Sequence, residues 1–314
     1  MYNKIVGGYR VKYGEALELI NSVEKEELYR LADALRLHFC KKSMDTCMIM
    51  NAKSGACPED CKWCAQSAKN KTDIKVYRLV DYDAVLKDAL IAQKSKVTRF
   101  GLVTSGRRPS KSEFVKISGM YSRLNNEVHG VGLCSSLGLL TKDELQKLYD
   151  SGVRRYHCNM ETAPSFFPNL CSTHTVEEKI ATAKAAKEVG MQLCSGGIIG
   201  MGESVEQRIE LAILLQEIGA DSIPVNILQP IKGTPLENAA PLTDDEVLTA
   251  FAMFRIINPE AEIRFAGGRA SIGHIQDKAL KCGVSASLVG DMLTTVGSKV
   301  NEDFAMFRKM GYEV

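Results

Sequence analysis

From residue 45 onward, short apolar runs alternate eight times with amphipathic helical stretches, and alternation of this kind leaves few folds open. The apolar runs are CMIMNAK (47–53), VTRFGLV (97–103), VHGVGLCS (128–135), VRRYHCNME (153–161), MQLCSGGII (191–199), SIPVNIL (222–228), EIRFAGG (262–268) and ASLVG (286–290). Helical patterns such as DYDAVLKDALIAQKS, TVEEKIATAKAAKEVG and SVEQRIELAILLQEIGA lie between them. Gly152, Gly190, Gly219 and Gly283 stand where a helix end calls for a left-handed residue. Strands joined through helices pair in parallel, and eight such units predict a closed (βα)8 TIM-type barrel; an open doubly wound sheet is the alternative. Two earlier helical patterns, GEALELINS and VEKEELYRLADALRLHF, make residues 1–44 an N-terminal helical extension to a barrel over 45–314. Chemistry in such a barrel gathers at the C-terminal ends of the strands. The residues found there are the loop at Cys57, then Cys134, Asn159, Glu161, Cys194, Asn226 and Arg264.

The composition agrees with one large core: 314 residues, 45% of them hydrophobic and 25% charged. A net charge of +2 gives no basic field for nucleic acid. The opening residues lack a continuous apolar segment, and no run reaches the about 18 apolar residues of a membrane span. A cytoplasmic protein is therefore expected, away from membranes. Against this background ten cysteines are conspicuous. Cytoplasmic thiols stay reduced, and clustered ones bind metal or do redox chemistry.

The sharpest local signal is KSGACPEDCKWCAQS, which follows the first strand directly. Its C-x3-C-x2-C spacing sets Cys57, Cys61 and Cys64 on one short loop. Three thiolates can hold three irons of a 4Fe–4S cube and leave the fourth open to another ligand. A zinc knot would want a fourth Cys or His nearby, and residues 41–127 contain no histidine. Trp63, between two of the thiols, is read either as a cover for the site, meeting a bound adenine, or as loop packing.

The spacing is that of the radical S-adenosylmethionine (SAM) superfamily, and longer strings narrow the likeness. KSGACPEDCKWCAQS, LCSSLG (133–138), NMETAP (159–164), LCSGGIIGMGE (193–203), IPVNILQPIKGTPL (223–236) and IRFAGGR (263–269) resemble the biotin synthase family. The resemblance covers about residues 45–312. It implies a homodimeric barrel enzyme that inserts sulfur between C6 and C9 of dethiobiotin, cleaving two SAM molecules per biotin. A flavodoxin- or ferredoxin-type protein would supply electrons. Carried over residue by residue, Cys57, Cys61 and Cys64 would hold the SAM-cleaving 4Fe–4S cluster. Trp63, Asn159, Glu161, Lys179, Gly197 and Ile198 would meet SAM, with Glu161 in place of the family's ribose-binding aspartate and Lys179 in place of an arginine. Asn159, Asn226, Thr294 and Thr295 would contact dethiobiotin.

The sequence departs from the family at its second cluster. The common pattern holds an auxiliary 2Fe–2S group, the sulfur donor, with three cysteines and an arginine. Cys134, Cys194 and Arg264 match three of these, but the strand-2 position is Gly101. Cys158 stands where a histidine is usual. The expectation is an auxiliary cluster rebuilt on Cys134, Cys158 and Cys194, with Arg264 as a further ligand or a charge partner beside Arg99. Three thiols suit a four-iron cluster with an extra sulfide better than a four-ligand 2Fe–2S site. Strict alternation opposes this set, because neighbouring Cys158 and Asn159 would face opposite ways. Cys47, at the foot of strand 1, is a weaker candidate ligand; Cys40, Cys171 and Cys282 read as packing thiols, and the histidines show no ligand spacing. The competing functions are a mutase or maturase on the same barrel, and a non-catalytic iron or zinc protein.

Overall fold

The helices start where the sequence supplies caps. Ser110, Thr141, Thr175, Ser204 and Thr243 each accept from the backbone three residues on, and the Glu or Gln there reaches back to the cap. Beyond three helices the chain turns at Gly152, Gly190 and Gly219, all at positive φ, and the next residue bonds back five positions. The computed structural model describes residues 1–290, 293 and 299–314.

The described residues form nine parallel strands: β1 (Asp45–Lys53), β2 (Arg99–Thr104), β3 (Gly132–Ser136), β4 (Arg155–His157), β5 (Gln192–Cys194), β6 (Gly197–Ile199), β7 (Ser222–Ile227), β8 (Glu262–Phe265) and β9 (Ala286–Leu288). Sequential neighbours pair from β1 to β5, β5 pairs with β7, and β7, β8 and β9 lead back to β1. The ring is closed. β6 continues the fifth position after a break and pairs with β7, so the strands form the (βα)8 barrel that the alternation implies.

The outer layer is α4 (Tyr82–Lys94), α5 (Lys111–Glu127), α6 (Lys142–Asp150), α7 (Val176–Glu188), α8 (Val205–Glu217), α9 (Asp244–Ile257), α10 (Gln276–Leu280) and α11 (Val300–Lys309). Before the barrel come α1 (Tyr2–Val6), α2 (Tyr13–Ser22) and α3 (Lys25–Phe39). α3 packs on α9, and α2 on α8. Ile5, Tyr9 and Arg10 help line a cavity under the barrel with Asp45, Arg99 and Arg155, so this extension lies across the end opposite the cysteine loop. The C-terminus stitches it in place: the Met44 N–H donates to Glu313 O, the Glu313 N–H to Lys42 O, and Arg36 lies over the Tyr312 ring.

Two strands differ from their sequence outlines. The fourth is regular only over Arg155–His157. After it the backbone doubles: the N–H groups of Met160 and Glu161 both donate to Gly196 O, and Glu161 sits at φ +72°. The fifth is broken at Ser195 and Gly196. A Cβ on Gly196 would lie 2.0 Å from Pro224 O, and one on Gly197 2.4 Å from Glu161 O. Only glycine fits either place, because the obstacle is backbone. Gly196→Ala is expected to cost about 3 kcal/mol or more, at the upper end of overpacking effects. Denaturant melts of the metal-free protein against Gly119→Ala, an exposed-side control with open space around it, measure the difference.

Candidate active site

The cysteine loop is folded by its own hydrogen bonds. The Cys57 N–H donates to Gln66 O and the Ala68 N–H to Cys57 O, while Asn70 Nδ2 donates to the carbonyls of Cys61 (3.2 Å) and Cys64 (2.8 Å). Gly55 and Ala56 take positive φ to start the turn. A second segment braces it from outside. The Lys62 N–H donates to Leu170 O, Asp60 accepts from the Ser172 and Thr173 N–H groups, and His174 Nδ1 lies 2.5 Å from Glu59 Oε2. Cys171 Sγ stands 3.8 Å from Cys61 Sγ and 3.3 Å from His174 Nδ1. Cys61, Cys171 and His174 thus form a buried group with donor atoms close enough to share an ion. Sequence spacing could not show it, since more than 100 residues separate its halves. As free thiols, Cys57 and Cys64 are pushed upward by burial, Cys64 to about 11. Metal binding there therefore releases protons.

Two adjoining cavities open from this loop. The smaller, about 200 Å³, is walled by Cys57, Cys61, Cys64, Cys158 and Lys179. The larger, about 370 Å³, runs into the barrel past Ile198, Asn226, Cys134, Cys194 and Arg264. Trp63, Asn159 and Glu161 belong to both. Lys179 is not the solvated helix residue that its position on α7 suggested. It is buried, its Nζ 3.8 Å from Glu161 Oε1 and 6.0 Å from the Phe167 ring centre. Burial disfavours its charge, but Glu161 together with Cys158, Cys61 and Cys171 outweighs this and raises its pKa. The Gly197 N–H side of β6 is held by Glu161, whose carbonyl accepts from the Ile198 N–H at 2.7 Å.

Both asparagines reach the cavity, and both also hold backbone. Asn159 Oδ1 accepts from the Gly196 N–H at 3.0 Å. Asn226 donates to Gly197 O and accepts from the Gly267 N–H, each at 2.9 Å. Thr294 and Thr295 lie outside the described residues.

The auxiliary set read from the sequence is corrected at Cys158. This side chain points outward, with Sγ 3.9 Å from the Lys179 carbonyl, and lines only the smaller cavity. Its neighbour His157 takes the lumen position instead, Nδ1 3.3 Å from Cys194 Sγ. The reason is alternation: His157 and Asn159, two residues apart, face the lumen cavity, and Cys158 between them faces α7. Burial penalises the Cys194 thiolate, yet His157, Arg264 and Arg155 lower its pKa to about 7.

Below these thiols lies a charged floor that sequence reading missed. Asp45 accepts from Arg264 at 2.6 Å and from Arg99 at 2.9 Å, with Arg155 at 3.5 Å. Arg264 also donates to Ser222 Oγ and to the carbonyls of Asp45 and Ser287. Burial works against the Asp45 carboxylate, but Arg264, Arg155 and Arg99 together hold its pKa well below the usual range. Its stabilising effect is therefore complete above the unfolded value near pH 4 and is lost as pH falls through the lower folded value. Asp45→Asn is expected to destabilise the metal-free protein by about 3 kcal/mol at pH 7, as for one partner removed from a buried pair, and by less in acid. Denaturant melts at pH 7 and pH 3 test this.

A glycine-walled cavity beside a three-thiol loop, at the C-terminal mouth of a parallel barrel, defines a radical SAM enzyme. In agreement, residues 52–215 match the Radical SAM superfamily, and residues 224–313 match the Biotin and Thiamin Synthesis associated domain. The biotin synthase of Porphyromonas gingivalis is 50% identical over 99% of this chain and 94% of its own length. That of Acetivibrio thermocellus is 49% identical over 100% and 98%. The chain belongs to the biotin synthase family. Methylornithine synthase (TM-score 0.82, 17% identity, 99% of this chain and 96% of the other) and the FeFe-hydrogenase maturase of Carboxydothermus hydrogenoformans (0.83, 16%, 99% and 77%) share its fold.

Proposed function

We propose that this chain closes the sulfur ring of biotin, inserting sulfur between C6 and C9 of dethiobiotin. One observation carries the assignment of roles: the cavity at the three-thiol loop and the cavity in the barrel share the wall of Trp63, Asn159 and Glu161. A ligand at that wall touches both the SAM-cleaving thiols and a substrate chamber that runs into the barrel. The donor set fits a four-iron cluster, with three thiols on one loop and no fourth protein ligand from that loop. Cys57, Cys61 and Cys64 would hold it. When bound and reduced, it supplies the electron that opens the SAM sulfonium and yields the 5′-deoxyadenosyl radical needed to attack unactivated C–H bonds.

The protein's own part is positioning. Glu161 offers acceptors to two ribose hydroxyls, and its left-handed backbone sets the carboxylate at the shared wall. Lys179, buried beside it, provides a cation for the SAM carboxylate. Gly197 and Ile198 bring bare backbone and an apolar surface to the nucleoside. Asn159 and Asn226 each keep donor or acceptor capacity for the urea of dethiobiotin after their backbone bonds are made.

Sulfur would come from an auxiliary cluster in the lumen near Cys134 and Cys194. The arginine floor supports an anionic group at this depth. The absence of a thiol at Gly101 favours a four-iron cluster with an extra sulfide over a 2Fe–2S site. A homodimer, a flavodoxin- or ferredoxin-type donor and a cytoplasmic setting belong to the same reading. No described helix is long and apolar enough to cross a membrane.

Anaerobic reconstitution with iron and sulfide, then dithionite, SAM and dethiobiotin, is expected to give 5′-deoxyadenosine and biotin by mass spectrometry. Cys57→Ala is expected to give neither. Deoxyadenosine without biotin would move the chain to another substrate. Lys179→Ala is expected to weaken SAM binding about tenfold, or about 1.4 kcal/mol. Calorimetric titration checks this, with Lys179→Arg expected to stay close to the parent.

A further inference from the structure

The lumen holds three buried thiols, but they are not the three read from the sequence. Cys47 on β1 joins Cys134 on β3 and Cys194 on β5 around one cavity. Cys47 Sγ lies 3.8 Å from the Met48 carbonyl and lines the cavity wall that it shares with the Cys134 thiol. Its place follows from register. Cys47 is two residues along from Asp45 and so faces the same way, one layer above the arginine floor; it pairs with Arg99 on one side and Leu288 on the other.

The strand between β1 and β3 makes the approach possible. Gly101 faces Cys134 across the β2–β3 register, and even a Cβ there would come within 3.2 Å of the Cys134 Cβ. With no side chain at 101, nothing from β2 stands between the two thiols. The charge beneath them is unbalanced: Arg99, Arg155 and Arg264 face the single carboxylate of Asp45. Arg155 and Arg264 are almost fully buried. Glu262, the other acid near this floor, accepts from the Ser285 hydroxyl and has its pKa raised by burial, so even with it the three cations outnumber the acids. Neutral thiols leave the cations uncompensated, whereas thiolates on a sulfide-bridged metal group compensate them.

We infer that Cys47 is a protein ligand of the auxiliary iron–sulfur group, together with Cys134 and Cys194, and replaces the thiol that strand 2 lacks. This rests on the proposed presence of a second cluster in the lumen and names its third cysteine. Cys158, turned toward α7, has no part in it. His157, beside Cys194, orients that thiol.

The test uses the full chain with Cys57, Cys61 and Cys64 all changed to Ala, so that only the lumen site can load. After anaerobic reconstitution, iron and acid-labile sulfide are counted per chain and Mössbauer and electron paramagnetic resonance spectra recorded. Adding Cys47→Ser is expected to remove more than half of the bound iron and change the remaining spectrum. Adding Cys158→Ala is expected to leave both as they were. Far-UV circular dichroism of each apoprotein establishes that it is folded, and Gly101→Cys placed in the Cys47→Ser background is expected to restore iron. Full iron with an unchanged spectrum in folded Cys47→Ser overturns the inference and leaves the second cluster standing. A parent triple variant that loads no iron removes the second cluster, and the role of Cys47 with it.

Discussion

The barrel is organised around one carboxylate. Asp45 opens β1 and draws in a guanidinium from β2, β4 and β8, three strands spread around the ring. Each pairing is buried, where an unmatched charge costs several kcal/mol, so the strands are constrained to a common height. The thiols of the lumen stand directly above this layer, and their depth and spacing follow from it. The N-terminal helices lie across the same end and wall one side of the cavity beneath the ion group. Residues 1–44, without chemistry in their sequence, thus contribute to the dielectric in which the site works.

The upper half of the site depends on a different constraint, the backbone contact between the Asn159–Glu161 turn and the break at Gly196. Three N–H groups, from Met160, Glu161 and Ile198, are satisfied across that contact. The carboxylate of Glu161, the amine of Lys179 and the amide of Asn159 are fixed as a consequence. The braces on the cysteine loop do the same work from outside: Glu59, Asp60, Cys171 and His174 tie it to the segment before α7.

Alternation of apolar runs and helices, with caps and terminal glycines, was enough to read the barrel, because these signals are local. The C-x3-C-x2-C loop was legible for the same reason. What escaped was the lumen, whose layers are set by strand register, and register is not written in any one segment. Asp45 looks like an ordinary strand-leading polar residue until three arginines from elsewhere meet it. Cys47 reads as no more than a weaker candidate ligand until Gly101 and Cys134 are placed beside it. Cys158 was misassigned because the missing strand-2 thiol outweighed the period of two, which keeps His157 and Asn159 at the lumen and turns Cys158 away. His174 was overlooked because Glu59 and Cys61, which meet it beside Cys171, lie more than 100 residues away in the chain. A charged residue at each of several strand starts, with a cysteine two positions later on one of them, is the signal that would have found the floor.

β6 is three residues long, and its Ile198 lines the larger cavity. Its backbone is pinned from the nucleoside side through Glu161 and from the lumen side through Asn226. One short ribbon thus ties the wall of the larger chamber to the turn that carries the Glu161 carboxylate, so the shape of the one and the height of the other are set together.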